Sequence, residues 1–326
     1  MKNTLYIIII SILAISCGGS PTDSLKSSDK SISTTIGTVE GLQIKDIPYG
    51  TSLDDFRNAI SVSDSSQFEI LKVDGITPAV ELKTSTRLKV TAEDNSTETY
   101  LVEVLPDPRV VGEFNGFNSD STDYQVVGGS FVEGFGSNTS ALSFTGSTVE
   151  NNYMVIPYDE NDPKYNLTAK GTIEVLVKAN SFKPYAGILS KGQVNNFSDE
   201  SYGIQLWPKD GSNARLLFFI YGENGQWIGV NGTYNLEANK WYHIVATWDE
   251  NKMYLYVNGV LDSSRDNTAG NVRSTTGGLT VGAQLTEGYN DTYGNFGWDG
   301  IIDRVSIFNE VMNADEVQSR YDEIFN

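Results

Sequence analysis

Residues 241–259, WYHIVATWDENKMYLYVNG, decide how the chain folds. From Trp241 to Trp248 almost every position is apolar or β-branched, so this strand can bury side chains on both faces of its sheet. Asp249-Glu250-Asn251-Lys252 is a polar connection. Met253, Leu255 and Val257 then alternate with Tyr254, Tyr256 and Asn258, the period of a half-buried strand. Asn258-Gly259 suits a turn with positive φ at both central residues, and Val260-Leu261 resume the apolar run. The stretch reads as a β-hairpin followed by a second tight turn.

Working outward, short apolar runs separated by Gly- and Asn-rich turns fill the chain from residue 110 on, including 153–156, 186–190, 202–207, 214–221 and 227–230. This spacing predicts an antiparallel two-sheet sandwich. The 241–259 hairpin resembles the central hairpin of laminin-G-like (pentraxin-like, concanavalin A-type) jelly rolls. Residues 279–282 (LTVG) and 298–309 (WDGIIDRVSIFN) are similar to the closing strands of that family, and 141–146 (ALSFTG) and 171–177 (GTIEVLV) to its opening ones. The resemblance covers about 110–326 and implies an all-β fold. It leaves activity open, because the family is functionally mixed. At 313–316, Asn-Ala-Asp-Glu is an N-cap with Glu three residues on, predicting a terminal helix of one or two turns with Val317 and Tyr321 packed inward.

The 326 residues have room for two domains. Acidic residues outnumber basic ones by 42 to 23, a net charge of −19, which speaks against nucleic acid or an anionic membrane surface as partner. There is one cysteine, Cys17, and one histidine, His243. That excludes thiol catalysis in the globular part, His-pair metal sites and zinc clusters.

The first seventeen residues read as a targeting segment: Lys2, then an apolar run over 5–15 too short to span a bilayer comfortably, then Leu13-Ala-Ile-Ser-Cys17. The small residues before Cys17 resemble a bacterial lipobox. That resemblance implies diacylation of Cys17, cleavage before it, and an outer-membrane lipoprotein of the cell envelope held to the membrane by its lipid alone. Residues 18–33 (GGSPTDSLKSSDKSIS) are nearly devoid of apolar side chains and predict a flexible tether. Residues 34–106 predict a small β-sandwich with one helix opened by Ser52 and strands at 68–73, 79–82, 87–92 and 98–105. The 88–104 stretch resembles the closing hairpin of bacterial immunoglobulin-like surface modules, which implies a spacer. Pro106 and Pro108 mark a semi-rigid hinge.

Three site chemistries are legible. Catalysis by paired carboxylates, as in jelly-roll glucanases, would need Glu-x-Asp-x-x-Glu on one strand. The one Glu-x-Asp is Glu160-Asn-Asp162, in an apparent loop with no third Glu, and Glu174 stands alone on its strand. His243 reads as a buried histidine with both nitrogens satisfied. Calcium needs several oxygen ligands from loops; Asp120, Asp123 and Asp303 are the candidates for a structural Ca2+. Sugars present apolar C–H faces that stack on exposed aromatics while amides and carboxylates bond their hydroxyls. The aromatics set in or beside polar loops are Trp227, Tyr289 and Tyr293, with Tyr202 and Trp207 further candidates, whereas Trp298 reads as core. The sequence thus points to non-catalytic carbohydrate binding. A protein-adhesion module and an unrecognised glycoside hydrolase or lyase are the alternatives.

Overall fold

The computed structural model describes residues 26–136, 139–146, 152–192, 199–209, 213–284 and 296–325. The chain divides into two compact units, 1–107 and 108–326.

The first unit contains β1 (Ile32–Thr34), β2 (Thr38–Glu40), β3 (Gln43–Ile47), α1 (Leu53–Ala59), β4 (Ile60–Val62), β5 (Gln67–Leu71), β6 (Arg87–Thr91) and β7 (Thr97–Val104). A five-stranded sheet runs in the order β2-β3-β7-β6-β5, with β3 and β7 parallel, and β1 pairs with β4. α1 starts where the Ser52 hydroxyl accepts the Asp55 N–H, with two aspartates in its positive first turn. It packs Phe56 onto Ile44, Leu88, Val90 and Val102.

Two expectations are corrected. Residues 27–30, expected within the tether, are bound to the unit, the Ser27 carbonyl accepting the Asp94 N–H. The Asp29 carbonyl accepts from the Ser63 and Ser66 hydroxyls, and the Lys30 carbonyl from Tyr100. The strand expected at 79–82 is a single bridge, Leu71 to Pro78, since proline brings no N–H to extend a ladder.

The second unit begins with β8 (Val110–Asn115), β9 (Gln125–Val127), β10 (Ser130–Glu133), β11 (Ser140–Thr145), β12 (Tyr153–Ile156), β13 (Gly171–Ala179) and β14 (Gly187–Lys191). It continues with β15 (Tyr202–Lys209), β16 (Asn213–Tyr221), β17 (Trp227–Asn231), β18 (Trp241–Trp248), β19 (Lys252–Val257) and β20 (Val260–Asp266). β21 (Leu279–Val281), β22 (Ala283–Gln284), β23 (Phe296–Gly297), β24 (Asp299–Phe308) and α2 (Ala314–Phe325) complete it. One sheet has the order β10-β11-β24-β13-β18-β19-β20, with β8 also on β24. The other has the order β17-β16-β15-β14-β21-β12-β9. Ile173, Val175, Ile244, Ala246 and Trp248 of the first meet Ile204, Leu206, Phe218, Ile220 and Ile228 of the second in one apolar core. The fold is therefore the all-β jelly roll that the sequence implies.

The hairpin forms as read. Asn258 and Gly259 have φ of 51° and 79°, and the Asn258 side chain accepts the His243 N–H at 3.0 Å. Both flanks of β18 are buried because α2 lies over the outer face of its sheet, where Val245, Tyr256, Phe308, Met312 and Val317 form a second apolar cluster. The helix begins with a reciprocal cap: Asn313 Oδ1 accepts the N–H groups of Asp315 and Glu316, and Glu316 Oε2 accepts the Asn313 N–H. It runs twelve residues, longer than the one or two turns expected, with Val317 buried against the sheet and Arg320, one turn on, bonded to Glu174.

The helix is clasped by charge as well. Glu174, fully buried on β13, accepts from Arg320 of α2 in a fork, Nε at 2.7 Å and Nη2 at 2.5 Å. His243 Nε2 lies 2.8 Å from Glu174 Oε1, which places the imidazole proton on Nε2. Burial alone would push the Glu174 carboxyl up, but the bonds from His243 and Arg320 outweigh it and hold the group down at about 2. His243 is buried as expected, yet only one nitrogen is bonded; Nδ1 has no partner. Among the described residues no helix is long and apolar enough to cross a membrane.

Candidate functional site

Among the described residues no helix covers the outer face of the β17–β9 sheet, and strand parity decides what that face shows. On β15, Tyr202, Ile204 and Leu206 point into the core, so Gln205 and Trp207 point out. On β16, Phe218 and Ile220 point in and Phe219 and Tyr221 out; on β17, Ile228 points in and Trp227 out. Gln205, Phe219, Tyr221 and Trp227, together with Tyr185, Glu200, Gln284 and Phe296, line a groove of about 160 Å³, with Trp207 beside it.

The aromatic rings meet in two groups. Tyr185 meets Trp207 edge-on at 5.7 Å and Phe296 at 5.6 Å, and Phe219 meets Tyr221 at 6.2 Å. Trp227 and Trp207 keep 45% and 40% of their surface exposed. The rings can lie flat because glycines stand beneath them. A Cβ at Gly203 would approach the Phe219 ring to 2.7 Å, and one at Gly229 the Trp227 ring to 2.9 Å.

The polar groups of the groove are buried. Glu200 is 5% exposed, and its Oε1 accepts from Gln284 Nε2 at 2.6 Å. Burial raises its carboxyl to about 7, against the lowering effects of the Gln284 bond and the Arg273 charge. Gln205 is 7% exposed and its Oε1 has no hydrogen-bond partner. Arg273 lies outside the lining, its guanidinium stacked 4.5 Å from the Tyr221 ring centre and its Nε bonded to the Glu200 carbonyl. The arrangement presents apolar ring faces beside bonding groups held below the surface.

The expected ligand residues fare unequally. Trp227 and Trp207 stand on this face. Tyr202 is a correction: it is fully buried in the core, its hydroxyl donating to the Tyr165 carbonyl at 2.8 Å. Ile204 and Leu206, two and four residues on, mark that same inward face in the sequence. Tyr289 and Tyr293, like Cys17, lie outside the described residues; Gln284 and Phe296, which flank 285–295 in the sequence, both line the groove. Trp298 is core, as expected.

The aspartates named for calcium do not form one set. Among the described residues no three acidic, His or Cys side chains come together as a metal site. Asp120 and Asp123 sit in an exposed turn, while Asp303 is buried and its carboxyl raised, burial outweighing the Arg304 charge and the Phe135 backbone bond. This donor set does not fit a shared ion.

Sequence reasoning missed Tyr185, Glu200, Gln205, Phe219, Gln284 and Phe296. The one signal for some of them was alternation on β15 and β16, where any outward residue beside Trp207 had to share its face.

Residues 148–318 match the model of the concanavalin A-like lectin/glucanases superfamily, Laminin_G_3. No curated protein sequence matches the chain. Similar solved structures include the binding domain of botulinum neurotoxin DC in complex with rat synaptotagmin II (14% identity, 66% of this chain and 52% of that chain, TM-score 0.50). A second is from botulinum neurotoxin type C, whose cell entry depends on interaction with two ganglioside molecules (14% identity, 67% and 52%, TM-score 0.50). A third is domain 4 of AbnA, a GH43 extracellular arabinanase from Geobacillus stearothermophilus, in complex with arabinotriose (15% identity, 65% and 97%, TM-score 0.46). The match spans about half the length of the two neurotoxin chains, and at these identities the likeness is one of fold.

Proposed function

The chain belongs to the concanavalin A-like lectin/glucanase superfamily, and from that premise we propose that residues 108–326 are a non-catalytic carbohydrate-binding domain whose ligand lies in the groove of Trp227, Tyr221, Phe219 and Tyr185. The observation that carries this is the pairing of exposed rings with buried polar groups on a sheet face that no described helix covers. Sugar rings need both, a flat apolar partner for their C–H faces and fixed partners for their hydroxyls. The same fold meets gangliosides in one neurotoxin and synaptotagmin in another, so it is compatible with a glycan or a protein. The depth of Glu200 and Gln205 favours a ligand that inserts hydroxyls. Hydrolysis by the usual route takes two carboxyl groups, and among the described lining residues Glu200 is the one carboxyl. We further propose that lipidation of Cys17 displays the domain on a bacterial envelope, with the first unit as spacer.

The test is a screen of the full chain against plant, algal and host glycans, with calcium and with chelator. Trp227→Ala is expected to weaken a specific hit at least tenfold, ~1.4 kcal/mol, while leaving the fold intact, because the ring is half exposed. A clean negative with folded protein would favour a protein partner. Product release from a bound glycan would overturn the non-catalytic reading. For the anchor, Cys17→Ala is expected to abolish incorporation of a labelled fatty acid; incorporation that persists would remove Cys17 as the lipidation site.

A further inference from the structure

Five of the eight residues that line the groove are aromatic: Tyr185, Phe219, Tyr221, Trp227 and Phe296. The face of such a ring attracts a cation that comes within about 6 Å of its centre. Tyr221 already holds one, the Arg273 guanidinium, at 4.5 Å. Tyr185 takes its place against local preference. Its φ is 60°, a left-handed conformation that bulky side chains rarely adopt, and its ring meets Trp207 and Phe296 edge-on.

A buried carboxyl shares the groove with these rings. Glu200 accepts one N–H from Gln284 at Oε1, and the Arg273 Nε donates to its carbonyl. No lysine, arginine or histidine lines the groove. The stretches 193–198 and 285–295, which adjoin Glu200 and Gln284 in the sequence, contain none either. Burial therefore outweighs the Gln284 bond and the Arg273 charge, and the carboxyl stands at about 7. An ammonium group would supply the missing counter-charge and find ring faces in place of the water it sheds. A hydroxyl can bond Glu200 but brings no charge to either partner.

We propose that the groove selects a sugar unit bearing a protonated amine, with Glu200 as its counter-ion and the Trp227 and Tyr185 rings beside it. This rests on the carbohydrate reading above and adds the class of sugar. Glu200 is then a specificity-determining residue.

The experiment titrates the full chain at pH 7 with three β-linked trisaccharides, of glucosamine, N-acetylglucosamine and glucose, which differ only at C2. The amine-bearing ligand is expected to bind at least tenfold more tightly than the two neutral ones. At a net charge of −19 the chain attracts any cation, so the decisive reading comes from variants that leave that charge almost intact. Glu200→Gln should bring the three ligands to parity, and Trp227→Ala should weaken the amine-bearing one at least tenfold. Tryptophan fluorescence verifies that each variant is folded.

Neutral trisaccharides that bind as tightly as the amine would overturn the inference while leaving carbohydrate binding in place. So would a preference that survives in Glu200→Gln, or a glycan hit sensitive to Trp227→Ala when none of the three binds. Absence of binding to any carbohydrate would remove the carbohydrate reading and the inference together.

Discussion

Replacing Glu174 by alanine is expected to destabilise the second unit by about 3–5 kcal/mol, the usual cost of removing one partner from a buried ion pair. The loss is large because two partners are stranded at once. Arg320 loses both arms of its fork, and His243, fully buried with Nδ1 already unbonded, loses its remaining bond. α2 would then be held by its apolar contacts and by Arg109, whose guanidinium lies 2.5 Å from Glu316. All five tryptophans lie in the second unit, so denaturant titration followed by their fluorescence reads this transition without interference from the first. A control separates charge from packing: the triple change Glu174→Leu, His243→Phe, Arg320→Met should recover much of the loss, since an apolar set of similar volume leaves no charge stranded.

The effect carries a pH signature. The folded-state pKa of Glu174 lies near 2, below its ordinary 4.5, so its contribution is present above pH ~4.5 and drains away as pH falls towards 2. The gap between wild type and variant should close over that window. A gap independent of pH would mean that the side chain acts through packing alone.

Glu200 gives the second large effect, with the opposite sign. Its carboxyl is raised from 4.5 to about 7 by burial, so the folded state holds a proton that the unfolded chain has released. Stability tied to this group is complete below pH ~4.5 and declines as pH rises through 7. At about 1.4 kcal/mol per unit, the loss is on the order of 3 kcal/mol by pH 8. Glu200→Gln keeps the shape and an oxygen for Gln284 Nε2 to reach but cannot ionise. It is expected to match wild type near pH 4.5 and exceed it by roughly 3 kcal/mol at pH 8. Melting curves at the two pH values decide; an equal difference at both would show that ionisation of Glu200 is not what costs stability. A site that gains stability when its acid is removed holds that acid for a reason other than folding.

Much of the fold was legible because it rests on local patterns. The alternation of 253–257, the Asn258-Gly259 turn and the Asn313–Glu316 cap each fix their geometry from neighbours in sequence. The site was half legible. Trp207 and Trp227 announce themselves as large rings beside polar turns, whereas Tyr202 looks the same until its parity with Ile204 and Leu206 is counted. Glu200, Gln284 and Phe296 meet only because β14, β15 and β21 align residues far apart in the chain, and no local signal marks a carboxyl as buried. The clasp of Glu174, His243 and Arg320 spans 69 and 146 positions and left no pattern to read.

The helix that closes one face of the sandwich also sets the valence of the domain. With α2 fastened over the outer side of one sheet, the groove lies on the outer side of the other, and one groove can grip a polymer from one side only. It cannot bridge two strands by itself. Firm retention of a long glycan would then depend on several copies engaging successive units of the same chain, each raising the local concentration seen by the next. The local density of copies, more than the strength of any one groove, would decide what is held.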